Sequence, residues 1–265
     1  MGQEIRIARA ALHQWEEPVI SGTKGSGAIF FSGCTLRCCY CQNREISREG
    51  FGKEVTPQRL REIMEQLVAQ GAHNINLVTA THFLPRILPA LTPPLPVPVV
   101  YNCGGYEKRE TLRLLEGKVQ IWLPDLKYGD NLLAARLSGA PDYFETATEA
   151  IREMYRQVGP YVIENGLMRT GVVIRHLVLP GELENTKRCI DWVAENFRPG
   201  QVLFSLMAQY TPQADARGTL RRHVTAGEYR SAVAYMENCG ITDGFTQERT
   251  SAKEEYTPPF DLTGV

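Results

Sequence analysis

The chain has 265 residues, 43% of them hydrophobic, which is enough to bury one sizeable core, and its 29 basic and 30 acidic residues leave a net charge of −1. That balance lacks the basic excess expected of a nucleic-acid-binding surface. No apolar run approaches the roughly 20 residues that span a bilayer, and the first residues form no apolar signal core. The expectation is therefore a protein of the reducing cytoplasm, with no nucleic-acid and no membrane partner. An odd count of seven cysteines argues the same way, against a secreted disulfide framework.

In chain order, apolar β-branched runs alternate with segments of helical period, which predicts parallel strands joined by crossover helices. Residues 5–7 are suited to begin a strand but are not assigned by pattern. The first assigned strand, 28–31, leads into a cysteine-rich segment at 34–41. A helix opens at Thr56-Pro57, places Leu60, Ile63, Met64 and Leu67 on one face, and stops at Gly71. Strand two follows at 75–78. Strand three, at 97–101, is entered from a proline-rich turn at 93–98, and strand four lies at 119–123. The connection 130–170 carries a helix with Ala147, Ile151, Met154, Tyr155 and Val158 at helical spacing. Strand five is expected at 172–179, strand six at 202–207 and a last helix around 226–237, followed by an apolar tail at 241–245 and a polar end.

Six such units fall short of the eight of a closed barrel. The reading is an α/β fold, a partial (β/α)6 TIM-like barrel with parallel strands, in a single domain. It comprises an N-terminal extension (1–26), the partial barrel (27–247) and a C-terminal arm (248–265). An open side would let a large substrate present a residue laterally.

Cys34, Cys38 and Cys41 are spaced C-x3-C-x2-C, with Tyr40 before the last cysteine. Iron–sulfur clusters commonly take four cysteines; three thiolates would hold a four-iron cluster and leave one iron free to bind a small molecule. A structural zinc site wants four ligands in two pairs, and the remaining cysteines, Cys103, Cys189 and Cys239, are scattered. Zinc, a purely electron-carrying cluster and no metal remain the alternatives. Cys39 is expected to pack as a small buried thiol rather than to act as a fourth ligand.

Active sites of parallel β/α folds form at the carboxyl ends of the strands. Those ends here carry the three cysteines, Thr79-Ala80-Thr81-His82, Asn102-Cys103-Gly104-Gly105, Pro124-Asp125-Leu126-Lys127 and Ala208-Gln209-Tyr210. Asp125 and Lys127, two residues apart on a strand, share a face, either as a rim salt bridge or as cofactor-positioning groups. Arg175 and His176 must face opposite sides, and if Arg175 points inward His176 points toward the helices. His82 is read equally as an acid or base and as a structural histidine. Trp15-Glu16-Glu17-Pro18 and Arg221-Arg222-His223 read as surface and packing features. Gly104-Gly105 reads as a turn or as a site of close approach to a ligand.

The C-x3-C-x-aromatic-C spacing closely resembles the signature of the radical S-adenosylmethionine (radical SAM) superfamily. Residues 27–33, Gln42-Asn43, Tyr101-Asn102, Leu123-Pro124-Asp125-Leu126-Lys127, residues 175–181 and residues 207–212 resemble its pyruvate formate-lyase activating enzyme-related (PflX-like) branch. The resemblance implies a [4Fe-4S] cluster held by Cys34, Cys38 and Cys41, and S-adenosylmethionine as the second cofactor. It implies that an electron from the cluster cleaves the sulfonium C–S bond and that the resulting 5′-deoxyadenosyl radical abstracts hydrogen from a substrate. Carried over residue by residue, it places Tyr40 near the adenine, Asn43 against the cofactor, Arg175 on its carboxylate, and Thr79, Asn102, Asp125 and Lys127 around it.

Two departures bear on the reaction. The related enzymes carry Gly-Gly-Glu-Pro after strand two, where this chain has Thr79-Ala80-Thr81-His82, and an aspartate where Asn102 stands. The implied partners are an electron donor such as flavodoxin or ferredoxin and a substrate that is a glycyl radical enzyme, a peptide or a small molecule. A non-catalytic electron-transfer protein is the rival reading.

Overall fold

Five strands of the central sheet are buried at every position, as a parallel sheet covered on both faces requires. The computed structural model describes residues 4–247 and 258–265. Its strands are β1 (Ile5–His13), β2 (Ser26–Phe31), β3 (Lys53–Val55), β4 (Ile75–Val78), β5 (Val99–Cys103), β6 (Ile121–Pro124), β7 (Val162–Glu164), β8 (Leu167–Leu177), β9 (Leu203–Met207) and β10 (Gly244–Thr246). They form one open sheet in the order β10-β9-β8-β6-β5-β4-β2-β1-β3, parallel from β2 to β10. β1 runs antiparallel to β2 and β3, and β7 forms an antiparallel hairpin with β8. The partial TIM-like barrel is the fold of the protein.

The six expected strands are present, shifted by a few residues at their ends. A seventh parallel strand, β10, lies within the expected apolar tail; at three residues it is too short to show a period of its own. The helix Pro57–Ala69 begins where Thr56 caps it through the Arg59 amide and buries Leu60, Ile63, Met64 and Leu67 as the spacing requires. The connection 130–170 holds two helices, not one. Tyr143–Val158 carries the expected spacing, while Asn131–Ser138, capped by Asp130 and closed by left-handed Gly139, was not expected.

The sheet separates two apolar layers. Its outer face packs against the helices through Tyr101, Trp122, Ile174 and Phe204. Its inner face lines the barrel lumen with Val100, Ile121, Leu123, Val173 and Leu203, and Ile20, from the segment between β1 and β2, closes that lumen from one end. Part of the expected polar arm, 248–257, lies outside the described residues. Residues 258–265 run along β1, where the Ala10 amide donates to the Thr263 carbonyl, the Leu262 amide to the Ala8 carbonyl, and Arg9 pairs with Asp261 at 2.8 Å.

Candidate functional site

The cysteine segment leaves β2 at the carboxyl rim and is tied down by backbone donors and acceptors on three sides. The Gly33 amide donates to the Ile46 carbonyl at 2.7 Å. The Arg37 and Cys39 amides donate to the carbonyls of Ser138 and Leu137, at 3.1 and 2.8 Å, the end of the helix Asn131–Ser138. The Arg48 guanidinium donates to the Arg37 and Cys38 carbonyls, both at 2.7 Å. A loop fixed at this many points holds its side chains without help from a core of its own.

Each of the three sulfurs expected to bind iron has a hydrogen-bonding group beside it. The Leu36 amide donates to Cys34 Sγ at 3.4 Å, the Ser138 hydroxyl donates to Cys38 Sγ at 2.9 Å, and Ser47 Oγ lies 3.4 Å from Cys41 Sγ. Burial pushes the Cys34 thiol up to about 12, with Cys38 and Cys41 adding to the rise, so the three thiols stand within one another's field. Burial raises Cys38 as well, and Lys127 works against the rise on both Cys34 and Cys38. Without a metal the Cys34 and Cys38 thiols stay protonated; metal binding would displace their protons.

A cluster takes each thiolate on a different iron, and three donor-flanked sulfurs on one rim fit that group. Cys39 corrects the sequence-based expectation: it is exposed, not buried. Its amide is pinned to Leu137, which turns the side chain outward into a cavity of about 780 Å³ shared with Arg136, Glu182, Tyr210, Asp215 and Arg217.

Inside the lumen the strand ends carry a buried polar network centred on Arg175. Its guanidinium donates to Asp125 Oδ1 at 2.9 Å, to Asn102 Oδ1 at 2.6 Å and to Glu16 Oε2 at 3.3 Å. Glu16 Oε1 in turn accepts from the side-chain amides of Asn76 and Asn102, at 3.0 and 3.1 Å. Glu16 and Glu17, read from the sequence as surface and packing features, are site residues instead. The segment between β1 and β2 carries them into the barrel, where Glu16 spans β4, β5 and β8 and Glu17 faces Arg175 and Ser205. Burial raises both carboxyls, with Arg175 opposing it.

For Asp125 the balance falls the other way. Burial works to raise its carboxyl, and Arg175 and Lys127 outweigh it, holding the group below its ordinary value. Its second oxygen accepts from Lys127 Nζ at 2.5 Å. Asp125 thus links the lumen network to Lys127, which faces Cys34 and Cys38.

The remaining sequence-derived residues are distributed unevenly. Arg175 points inward and His176 outward, as strand alternation requires. His176 is fully buried between the Leu126 carbonyl, 2.6 Å from Nδ1, and the Thr186 hydroxyl, 3.0 Å from Nε2, and burial lowers its pKa to about 4. Thr79 sits at the rim with φ +61, an uncommon conformation for a β-branched residue and one concentrated at functional sites. Asn43 begins the short turn Arg44–Ser47 directly after Cys41 and Gln42. Tyr40 is buried, its hydroxyl 2.7 Å from that of Tyr128 and its ring 6.2 Å from that of Tyr210. His82 holds the Ser32 carbonyl at 2.7 Å through Nε2, which straps two strand ends together.

Tyr143 and Glu107 escaped the sequence reading. The Tyr143 hydroxyl donates to the carbonyls of Gly104 and Asp125, both at 2.8 Å, and accepts from the Lys127 amide at 2.9 Å, pinning the β5 and β6 ends to each other. A Cβ at Gly105, where φ is +78, would collide with the Asp125 carbonyl oxygen, so this glycine serves the approach of those two ends. Glu107 lies buried on the outer side, accepting from the Thr81 hydroxyl at 2.7 Å, and burial pushes its carboxyl up to about 7.

A model of the radical SAM superfamily matches residues 28–193, spanning the cysteine loop and the strands up to β8. The chain belongs to the radical SAM superfamily. Its cofactors are a [4Fe-4S] cluster and S-adenosylmethionine. A curated relative, uncharacterized protein MJ0674 of Methanocaldococcus jannaschii, is 30% identical over 245 residues, covering 87% of this chain and 66% of that protein.

Among solved structures, methylornithine synthase (PylB) has a TM-score of 0.58 at 15% identity, over 90% of this chain and 65% of that one. SuiB of Streptococcus suis bound to its precursor peptide SuiA has a TM-score of 0.57 at 15% identity, over 82% of this chain and 47% of that one. SuiB bound to S-adenosylmethionine has a TM-score of 0.53 at 13% identity, over 82% and 48%. These structural likenesses establish the fold, and the radical SAM chain described here spans about half to two thirds of the length of these relatives. No helix of the described residues is long and apolar enough to cross a membrane.

Proposed function

We propose that the chain reductively cleaves S-adenosylmethionine and uses the resulting radical to take hydrogen from a protein or peptide substrate. The observation that carries this reading is the set of three thiols, Cys34, Cys38 and Cys41, each beside a hydrogen-bonding group, on the carboxyl rim of an unclosed barrel. When bound, the cluster supplies one electron and the cofactor supplies the 5′-deoxyadenosyl group; the protein supplies orientation and shelter from water. Lys127 brings a positive charge to the cysteine side of the rim, and Thr79, after β4, and Asn43, after the cysteine loop, would approach the cofactor.

Arg175 takes a different role from the one its resemblance implies: its fork is engaged by Asp125, Asn102 and Glu16, so it positions the rim from below. The substrate reading is a macromolecule, since the sheet edges β3 and β10 are not joined to each other among the described residues, and the cavity beside Cys39 combines charged groups, Arg136, Glu182, Asp215 and Arg217, with apolar ones, Leu137, Ala216 and Leu220. SuiB, with its peptide-bound structure, is consistent with such a substrate. Generation of a glycyl radical in a partner enzyme is the most specific form of the proposal. Flavodoxin or ferredoxin would serve as electron donor, in a reducing cytoplasm that spares the cluster.

The test is anaerobic reconstitution with iron and sulfide, followed by reduction with S-adenosylmethionine present and chromatography of the products. Methionine and 5′-deoxyadenosine in equal amounts are expected, slowly when substrate is absent. An intact cluster that yields no deoxyadenosine under strong reductant would favour the electron-transfer reading.

A further inference from the structure

Three buried hydroxyls stand in series behind Cys38. Tyr40 and Tyr128 are 2.7 Å apart, Tyr128 and Ser138 are 2.5 Å apart, and Ser138 donates to Cys38 Sγ at 2.9 Å. One proton order satisfies the series. Because the Ser138 proton is committed to sulfur, its oxygen accepts from Tyr128, and Tyr128, its own proton then spent, accepts from Tyr40. Each donor polarises the next, and hydrogen bonds in a low-dielectric interior strengthen one another in this way. All three residues are buried, and burial raises both phenols above their ordinary values, so they remain donors.

The same helix end also holds the loop mechanically, but with other atoms. The Leu137 and Ser138 backbone carbonyls accept from the Cys39 and Arg37 amides, and a side-chain substitution at Ser138 leaves those bonds in place. The hydroxyl is therefore surplus to the anchoring of the loop. What it touches is sulfur, and hydrogen bonds to the sulfurs are among the factors that set the potential of an iron–sulfur cluster. Reduction adds negative charge to the cluster and its thiolates, which strengthens a hydrogen bond to Cys38 Sγ and favours the reduced form.

We propose that Ser138, backed by Tyr128 and Tyr40, raises the reduction potential of the cluster and so eases its loading with the electron used for cleavage. This rests on Cys38 being a cluster ligand. The test is a redox titration followed by electron paramagnetic resonance on reconstituted wild type, Ser138→Ala, Ser138→Thr and Tyr128→Phe, with iron and sulfide measured on each.

Ser138→Ala is expected to keep its iron and lower the midpoint, cutting the reduced-to-oxidised ratio at fixed potential about tenfold, about 59 mV for one electron. Tyr128→Phe should shift it the same way by less, and Ser138→Thr should restore it. An unchanged midpoint in Ser138→Ala with full iron would overturn the proposal. So would loss of iron in that variant, which would assign the contact to retention of the cluster. Failure of the wild type itself to take up iron would instead overturn the cluster reading beneath it.

Discussion

Replacing Arg175 by alanine separates two roles for that side chain, a grip on the cofactor's carboxylate and the hub of a buried network. In the structure the guanidinium has only 13% of its surface exposed and contacts Asp125 and Glu16, which are 15% and 9% exposed. Among the described residues its removal leaves Glu16 with no paired cation and Asp125 with Lys127 alone. Breaking a buried pair from one side costs about 3–5 kcal/mol, and the surviving Lys127 contact puts the expected loss near the low end, about 3 kcal/mol.

Against a total stability of about 5–15 kcal/mol, that is a large loss which a folded protein survives. Urea denaturation of the metal-free protein under anaerobic conditions measures it through the midpoint at constant slope. The double variant Arg175→Met with Glu16→Gln removes both charges and should recover part of the loss, since a buried pair is often replaced by uncharged groups at little cost. A loss below about 1 kcal/mol in Arg175→Ala, together with weakened S-adenosylmethionine binding, would refute the network argument and return Arg175 to the cofactor.

Alanine at Cys34, Cys38 or Cys41 should abolish a stable four-iron cluster while the barrel stays folded, whereas Cys39→Ala should keep its iron, because the Cys39 side chain is turned outward; iron analysis of the four variants checks this. Glu107 makes stability fall with rising pH. Burial raises its folded pKa to about 7 from 4.5, so the penalty is absent below the unfolded value, grows between the two and is complete above about 7, reaching about 3 kcal/mol at most. Glu107→Gln should flatten that slope, and an unchanged difference between unfolding midpoints at pH 5.5 and pH 8 would refute it.

What could be read from the sequence follows from how local the governing physics is. Strand alternation acts between neighbours, so it required Arg175 and His176 to face opposite sides, and they do, Arg175 toward the lumen and His176 toward the helix Leu183–Asn196. Helical spacing acts over a few residues, so it found Pro57–Ala69 and Tyr143–Val158. The helix Asn131–Ser138 is short and places Leu132 in solvent while burying Leu133, Ala134 and Leu137, a stripe too brief to stand out. Glu16 was illegible for a different reason. Its partners Asn76, Asn102 and Arg175 come from three strands, and their convergence depends on the register of β4, β5 and β8 and on a connection that enters the barrel.

That non-local placement has a consequence for the chemistry. Asp125 lies where the two halves of the site meet: one oxygen takes Arg175 from the lumen, the other takes Lys127 from the cysteine side. Lys127 acts on Cys34 and Cys38, while Arg175 is held from below by Glu16 and Asn102. A change in the lumen, such as removing Glu16, therefore alters how strongly Asp125 holds Lys127, and through Lys127 the positive charge available to the thiolates. The segment between β1 and β2 carries no cysteine, yet through Glu16 it helps fix the electrostatic setting of the cluster site.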